Sequence, residues 1–282
     1  MLKLALNQAT CKELSFKSFL ECSMGFQGVE LDTSKIEEFI KEPLEIWDLK
    51  ELLETYSLEV ESVYGLDDFS LNSERDYKIK TLPAFHRMLK QAYKLESDLL
   101  IVTPSDLEEN QKQETIPQWR ILRRTKKRLE QLSKRAYGDG INICFHYISL
   151  KNNSLPNLHD VLEIIEELED RENIGLLLDN FHLVRSGVQY SQLKSVQEQL
   201  FLFRISDFEF EGINGSDSPE FPDKTLPGRG DFNFKDFFRW TRKLEYRKTY
   251  SLNPSEGECN DKIFKKCYKN LYPLFRASED LT

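Results

Sequence analysis

Eight apolar runs of strand length, a helix-patterned segment after each, and a length of 282 residues together predict an α/β chain closed into a single (β/α)8 TIM barrel. Alternation of strand and helix demands a parallel sheet with helices outside, and eight units in this length favour closure over an open doubly wound sheet. No G-x-G-x-x-G follows the first run, which weakens a dinucleotide-binding reading. Residues 1–282 read as one domain, without a linker or low-complexity tract.

The elements follow in order. Strands are expected at Leu2–Asn7, Gly28–Leu31, Leu58–Tyr64, Asp98–Thr103, Ile141–Tyr147, Ile174–Asp179, Leu200–Ser206 and Thr249–Asn253. Between them, apolar residues recur at three and four spacing, as in Leu82, Phe85, Leu89, Ala92 and Tyr93, or Leu158, Val161, Leu162, Ile165 and Leu168. Ser15, Asn157 and Asp231 are placed as helix starts, and turns at Gly25, Gly138 and Gly140 lead from helices into strands. Arg123–Arg135 is expected as a basic outer helix face and Glu163–Glu172 as an acidic one on the next helix, close enough to attract it. The connection over 208–231 is long, polar and rich in Gly and Pro, and reads equally as a lid or a solvated insertion.

Composition removes several classes. A formal net charge of -9 argues against nucleic acid as a partner. No run is long enough to span a membrane, and MLKLALNQAT is not a signal peptide, so the cytosol is the expected compartment. Five cysteines, odd in number and without C-x-x-C spacing, are expected to be reduced thiols. His86 and His159 fall on helix patterns and are expected to be structural or exposed, and Trp47, Trp119 and Trp240 to serve packing or a lid.

Chemistry concentrates where apolar runs end. IGLLLDNFHLVRSG carries Asp179 and His182, INICFHYIS ends in His146, LFLFRISDFE carries Arg204 and Asp207, and RKTYSLNP ends in Asn253. Barrel enzymes keep their functional groups at the C-terminal ends of strands. Alternation places His146 on one face with Cys144, Asp179 with Leu177, Arg204 with Leu202 and Asn253 with Ser251, so all four can point inward. Glu30 ends the second strand, and Tyr64 and Asn7 are expected to line the same mouth.

GFQGVEL, the Asp-x-x-His at Asp179 and His182, the polar end of the seventh strand, PGRGDFNF from Pro227 to Phe234 and the closing SLNP together resemble the xylose isomerase-like barrel superfamily. That resemblance covers essentially the whole chain. It implies sugar isomerase, epimerase or related chemistry on a small sugar-like substrate, with Arg229 in the PGRG stretch joining the substrate-binding set. It also implies a divalent metal on four strand-end ligands, whose positions fall here on His146, Asp179, Arg204 and Asn253, with only Asp179 retained as a family ligand.

Two chemistries stand open from these residues. An altered site of His146, Asp179 and His182, with Asp207 joining if its strand end turns inward, would suit zinc or manganese. Alternatively no metal is used, and Arg204 beside Asp179 holds an anionic group while His146 or Glu30 exchanges a proton; a plain Arg204–Asp179 ion pair is the structural counterpart. The expected function is a sugar isomerase/epimerase-like enzyme, with catalytic His146, Asp179 and Glu30 and substrate-binding Arg204, Asn253, Tyr64 and Arg229. The competing expectation is an inactive relative that binds a sugar-like or anionic ligand or a protein partner. A phosphodiester nuclease is disfavoured by the four histidines and the acidic charge.

Overall fold

A computed structural model of the chain describes residues 1–41, 43–107, 116–168, 172–210, 224–255, 259–260 and 262–279. All eight expected strands form, as β1 (Leu4–Asn7), β2 (Gly28–Asp32), β3 (Glu59–Leu66), β4 (Leu99–Val102), β5 (Asn142–His146), β6 (Ile174–Asp179), β7 (Leu200–Ile205) and β8 (Tyr250–Leu252). They pair in sequence order, all parallel, and β8 pairs with β1 to close the barrel. Closure leaves no open sheet edge.

The strand alternation sorts the core into two layers. Residues such as Ile143, Phe145, Leu176, Leu178 and Phe203 pack outward under the helices. Leu99, Ile101, Cys144, Leu177 and Leu202 form a separate interior cluster, with Tyr64 and Phe201 against it. That plug fills the barrel. The next inward position beyond it on each strand reaches the C-terminal mouth, where a polar side chain stands on the floor that the plug provides.

Local chemistry sets most helix starts as expected. Ser15 accepts from the Ser18 amide and Asn157 from the His159 amide, each satisfying a donor left over at the first turn. Gly25 has φ of +99°, and a Cβ there would stand 2.5 Å from the Phe264 ring, so the turn into β2 needs glycine. Asp231 is not the expected helix start: Asn233 caps Phe234–Lys243, while an Asp231 carboxylate oxygen accepts from the Phe210 amide across the loop.

Two expectations change. The basic helix Gln118–Tyr137 is not purely an outer face, because Arg128 is buried and donates to the carbonyls of Phe69 and Asn72 and to the Asn72 side chain. The expected attraction to the acidic neighbour is present, with Lys126 2.6 Å from Glu167. The cysteines are not all thiols: Cys11 and Cys259 form a disulfide, tying the turn after β1 to the segment after β8. Odd count and absent short spacing do not reveal a bond across 248 residues of sequence. His86 and His159 are exposed, as are Trp47 and Trp119, while Trp240 packs on Tyr190. No helix among the described residues is long and apolar enough to cross a membrane.

Candidate functional site at the barrel mouth

Two ion pairs dominate the C-terminal mouth. Glu30, fully buried in the middle of β2, receives Arg204 from β7 through Nη2 at 2.8 Å and Nε at 3.0 Å. Its carboxylate also accepts from Ser62 Oγ at 2.9 Å and Asn7 Nδ2 at 3.2 Å. The Tyr64 ring lies 5.4 Å from the Arg204 guanidinium carbon, within cation–π range. Burial pulls the Arg204 pKa down, but the Glu30 charge and hydrogen bonds outweigh it and the group is held above its usual range. Burial likewise pushes the Tyr64 phenol far up, so it stays neutral.

The second pair was not foreseen. Asp179 is fully buried, and its Oδ2 accepts from Lys224 Nζ at 2.6 Å and Asn253 Nδ2 at 3.1 Å. Its Oδ1 accepts from the Phe181 amide and caps the short helix Asn180–Arg185. Burial alone would raise this carboxyl, but the charge of Lys224 outweighs it and, with the neighbouring His182 ring and the Lys224 hydrogen bond, holds the group well below the usual carboxylate range.

The expected Arg204–Asp179 partnership is therefore replaced. Asp179 and Arg204 are register neighbours on adjacent strands, yet the long Arg204 side chain crosses the lumen to Glu30, where four donor contacts converge. Lys224 takes the place at Asp179 instead.

Lys224 sits where it does because its backbone is stitched on both sides. Its amide donates to Ser255 Oγ at 3.1 Å, and its carbonyl accepts from the Ser255 amide at 2.6 Å. The next residue, Thr225, exchanges both backbone hydrogen bonds with Asp207. Asp207 is not turned toward a metal: its Oδ1 accepts from the amides of Phe208 and Phe232, and its Oδ2 from Gly228 and Arg229. Asn180 extends the β6–β7 ladder by one rung, exchanging side-chain bonds with the Ser206 backbone. Residues 211–223 of the expected lid lie outside the described residues.

Both histidines line this floor, their ring centroids 6.0 Å apart. Among the described residues His146 Nε2 is buried and has no hydrogen-bond partner. Burial, then the charge of Arg204, holds the His146 pKa well below its usual value, so the ring is neutral near pH 7. His182 Nδ1 accepts from the Ser149 amide at 3.3 Å, which leaves its proton on Nε2, and burial lowers its pKa to about 4. Arg229 is exposed in the loop after β7, its amide on Asp207.

Cavities open at both ends of the strands among the described residues. One of about 860 Å³ opens on the C-terminal side beside the mouth, bordered by Gly65, Asp67, Asn72, Thr103, Asp106 and Ile148. Another, about 900 Å³, opens at the strand starts among Lys3, Glu61, Asp98, Asn142 and Lys248, the end where barrels do not carry their chemistry.

This fold and strand-end polar set define a class, and comparison gives it a family. The chain belongs to the xylose isomerase-like TIM barrel family, whose model matches residues 22–264. It is similar to proteins named inosose isomerase from Halalkalibacterium halodurans and Bacillus velezensis, 26% identical to each over 256 residues, which is 89% of this chain and 87% and 88% of theirs. Among solved structures it matches an IolI protein with a bound zinc atom, at a TM-score of 0.81 and 21% identity, over 97% of this chain and 98% of that one.

The family's divalent ion does not fit the residues here. Among the described residues no three His, Cys, Asp or Glu side chains are grouped to hold a metal, so the expected His146, Asp179 and His182 set is not assembled as a ligand cluster. Of the four ligand positions, Arg204 can only donate and is already committed to Glu30, and Asn253 turns its Nδ2, not its carbonyl oxygen, toward Asp179. The remaining carboxylate is engaged by an ammonium.

The sequence reading placed Glu30, His146, Asp179, Arg204 and Asn253 at one mouth, and they are found there. It missed Lys224. A lysine in a polar loop between two prolines carries no signal of its own; only its pairing with Ser255 and Asp207 through the backbone gives it a position.

Proposed function

We propose that this chain is a sugar isomerase/epimerase-like enzyme that moves a proton on a small polyhydroxy carbonyl compound at the C-terminal mouth. The observation that carries the reading is the buried His146 Nε2, left without a partner between two cation–carboxylate pairs. A buried polar atom without a partner is costly, and a ligand that meets it removes the cost. His146, neutral near pH 7, exchanges the proton at the carbon next to the carbonyl, and Arg204 and Lys224 face the oxygen where charge develops. Glu30, saturated by four donors, positions Arg204 and is not the base. Asp179 and Asn253 set the polarity around Lys224, and the neighbouring cavity offers carboxylates, an amide and a hydroxyl to the substrate's hydroxyl groups. Tyr64 backs Arg204, and Arg229 meets the substrate only if its loop closes. The names of the two inosose isomerase relatives support a cyclic polyhydroxy ketone as the substrate class. The reading takes 1–282 as one domain working in the cytosol, with no nucleic acid or membrane partner.

One observation favours a second reading, an inactive relative that binds a sugar-like or anionic ligand. Both carboxylates of the mouth are already satisfied by cations, as in a structural ion-pair network. Proton NMR in deuterated water separates the two. With a panel of inososes and open-chain polyhydroxy ketones, an enzyme washes deuterium into the carbon next to the carbonyl, and His146→Gln loses that exchange. Binding detected by titration without exchange on any member would leave the binder.

A further inference from the structure

Beyond this reading, and resting on it for the location of the site, we infer that Lys224 is the resident cation of the mouth: its ammonium does the charge work of a divalent ion and binds an anionic ligand oxygen directly.

The placement is built. Lys224 is fixed through both its amide and its carbonyl to Ser255 after β8, and through Thr225 to Asp207 after β7. Two strand ends thus aim one ammonium at Asp179 Oδ2. Its side chain is 20% exposed against 0% for Asp179, so the cation is reachable from solvent and the carboxylate is not. An ammonium has three donors. Among the described residues one is spent on Asp179, and the Phe181 ring lies 5.3 Å from the nitrogen on another side.

Charge balance gives the same answer. Glu30 and Asp179 contribute two negative charges, and Arg204 and Lys224 two positive ones. These two pairs cancel before any ion arrives. A divalent cation would meet carboxylates that are already paired and would have to displace Lys224 from Asp179, which desolvation makes costly. An anionic oxygen, by contrast, finds two cations on neighbouring elements. The fitting ligand is a carboxylate or an enediolate-like oxygen pair on a small molecule, the charge that proton removal next to a carbonyl produces.

Oxalate, a planar dianion of enediolate shape, is the probe. Calorimetric titration of the full chain in EDTA is expected to show binding, Lys224→Met to weaken it by about tenfold or more, and Lys224→Arg to stay within a few-fold of wild type, as a charge-assisted hydrogen bond predicts. Titration with Mn2+ followed by electron paramagnetic resonance is expected to show no stoichiometric site in wild type and a gained site in Lys224→Met/Asn253→Asp, where two carboxylates face each other. Oxalate binding that needs added Mn2+, stoichiometric Mn2+ in wild type, or equal oxalate affinity in Lys224→Met would each overturn the inference. If Lys224→Met does not fold, the wild-type titrations still decide it. Absence of deuterium exchange on every ketone would sink the isomerase reading alone and leave the oxalate result standing.

Discussion

The two ion pairs of the mouth differ in who supplies the cation. Glu30–Arg204 is made by two strands, closed off from solvent, with Ser62 and Asn7 completing the carboxylate's acceptor sites. Asp179–Lys224 is made by a strand and a loop, and its cation reaches the entrance. The difference assigns labour: the strand-borne pair holds Arg204 in a fixed place, and the loop-borne pair supplies the more exposed cation. It also explains why the barrel tolerates so much buried charge. Each carboxylate is paired and hydrogen-bonded, and each cation is held by more than one interaction.

The largest expected effect comes from breaking the scaffold side. Glu30→Ala leaves Arg204, 8% exposed, with no carboxylate partner, and is expected to cost about 3–5 kcal/mol in chemical denaturation. A loss below about 1 kcal/mol would mean that Arg204 swings to water or to Asp179, and the distinction between a fixed and a reachable pair would fail.

The next effect is titration of the floor between the pairs. The folded pKa of His182 is lowered to about 4 from 6.5, with burial the largest cause. Between those values the unfolded chain binds a proton that the folded chain does not, so stability falls as pH drops from about 6.5 to about 4, by up to about 3 kcal/mol from this group. His146 shifts in the same direction and adds to the slope. Asp179, depressed in the fold, keeps its contribution above the unfolded carboxylate pKa and loses it only in stronger acid. Stability curves for His182→Gln should be flatter over that window; an unchanged slope would show that His182 titrates normally and that the floor is wetter than its burial implies.

How much of this was legible follows the same division. Strand ends announce themselves, because an apolar run closing on Asp, His or Arg has only one place to put the polar group, and alternation fixes which neighbours share its face. Leu177 below Asp179 and Leu202 below Arg204 do lie together in the interior plug. Pairing across the lumen was not legible. Register makes Arg204 a neighbour of Asp179, and only the span of the side chain and the donors gathered at Glu30 decide that it crosses instead. Contacts that depend on where a loop returns were invisible: Lys224 on Asp179 and Cys11 on Cys259 join residues whose spacing carries no period. Asp207 shows the converse error, a polar strand end that looked like a ligand and serves as a clamp on four backbone amides.

That clamp gives the smallest and most selective test. Asp207 accepts from Phe208 and Phe232 through one oxygen and from Gly228 and Arg229 through the other. In Asp207→Asn the volume is kept, but whichever way the amide turns, an NH2 faces two N–H donors. The loss is about 1–3 kcal/mol for the unsatisfied donors. Its effect should fall on the loop-borne side alone, because the Asp207–Thr225 exchange that seats Lys224 loosens while Glu30, Arg204 and Tyr64 are untouched. Oxalate affinity is then expected to fall together with the local protection of the Thr225 amide in hydrogen exchange, with the amides of β2 and β3 unchanged. Uniform loss of protection across the barrel would mean that Asp207 holds up the fold as a whole, and that the position of Lys224 is a consequence of barrel closure and not of its own anchors.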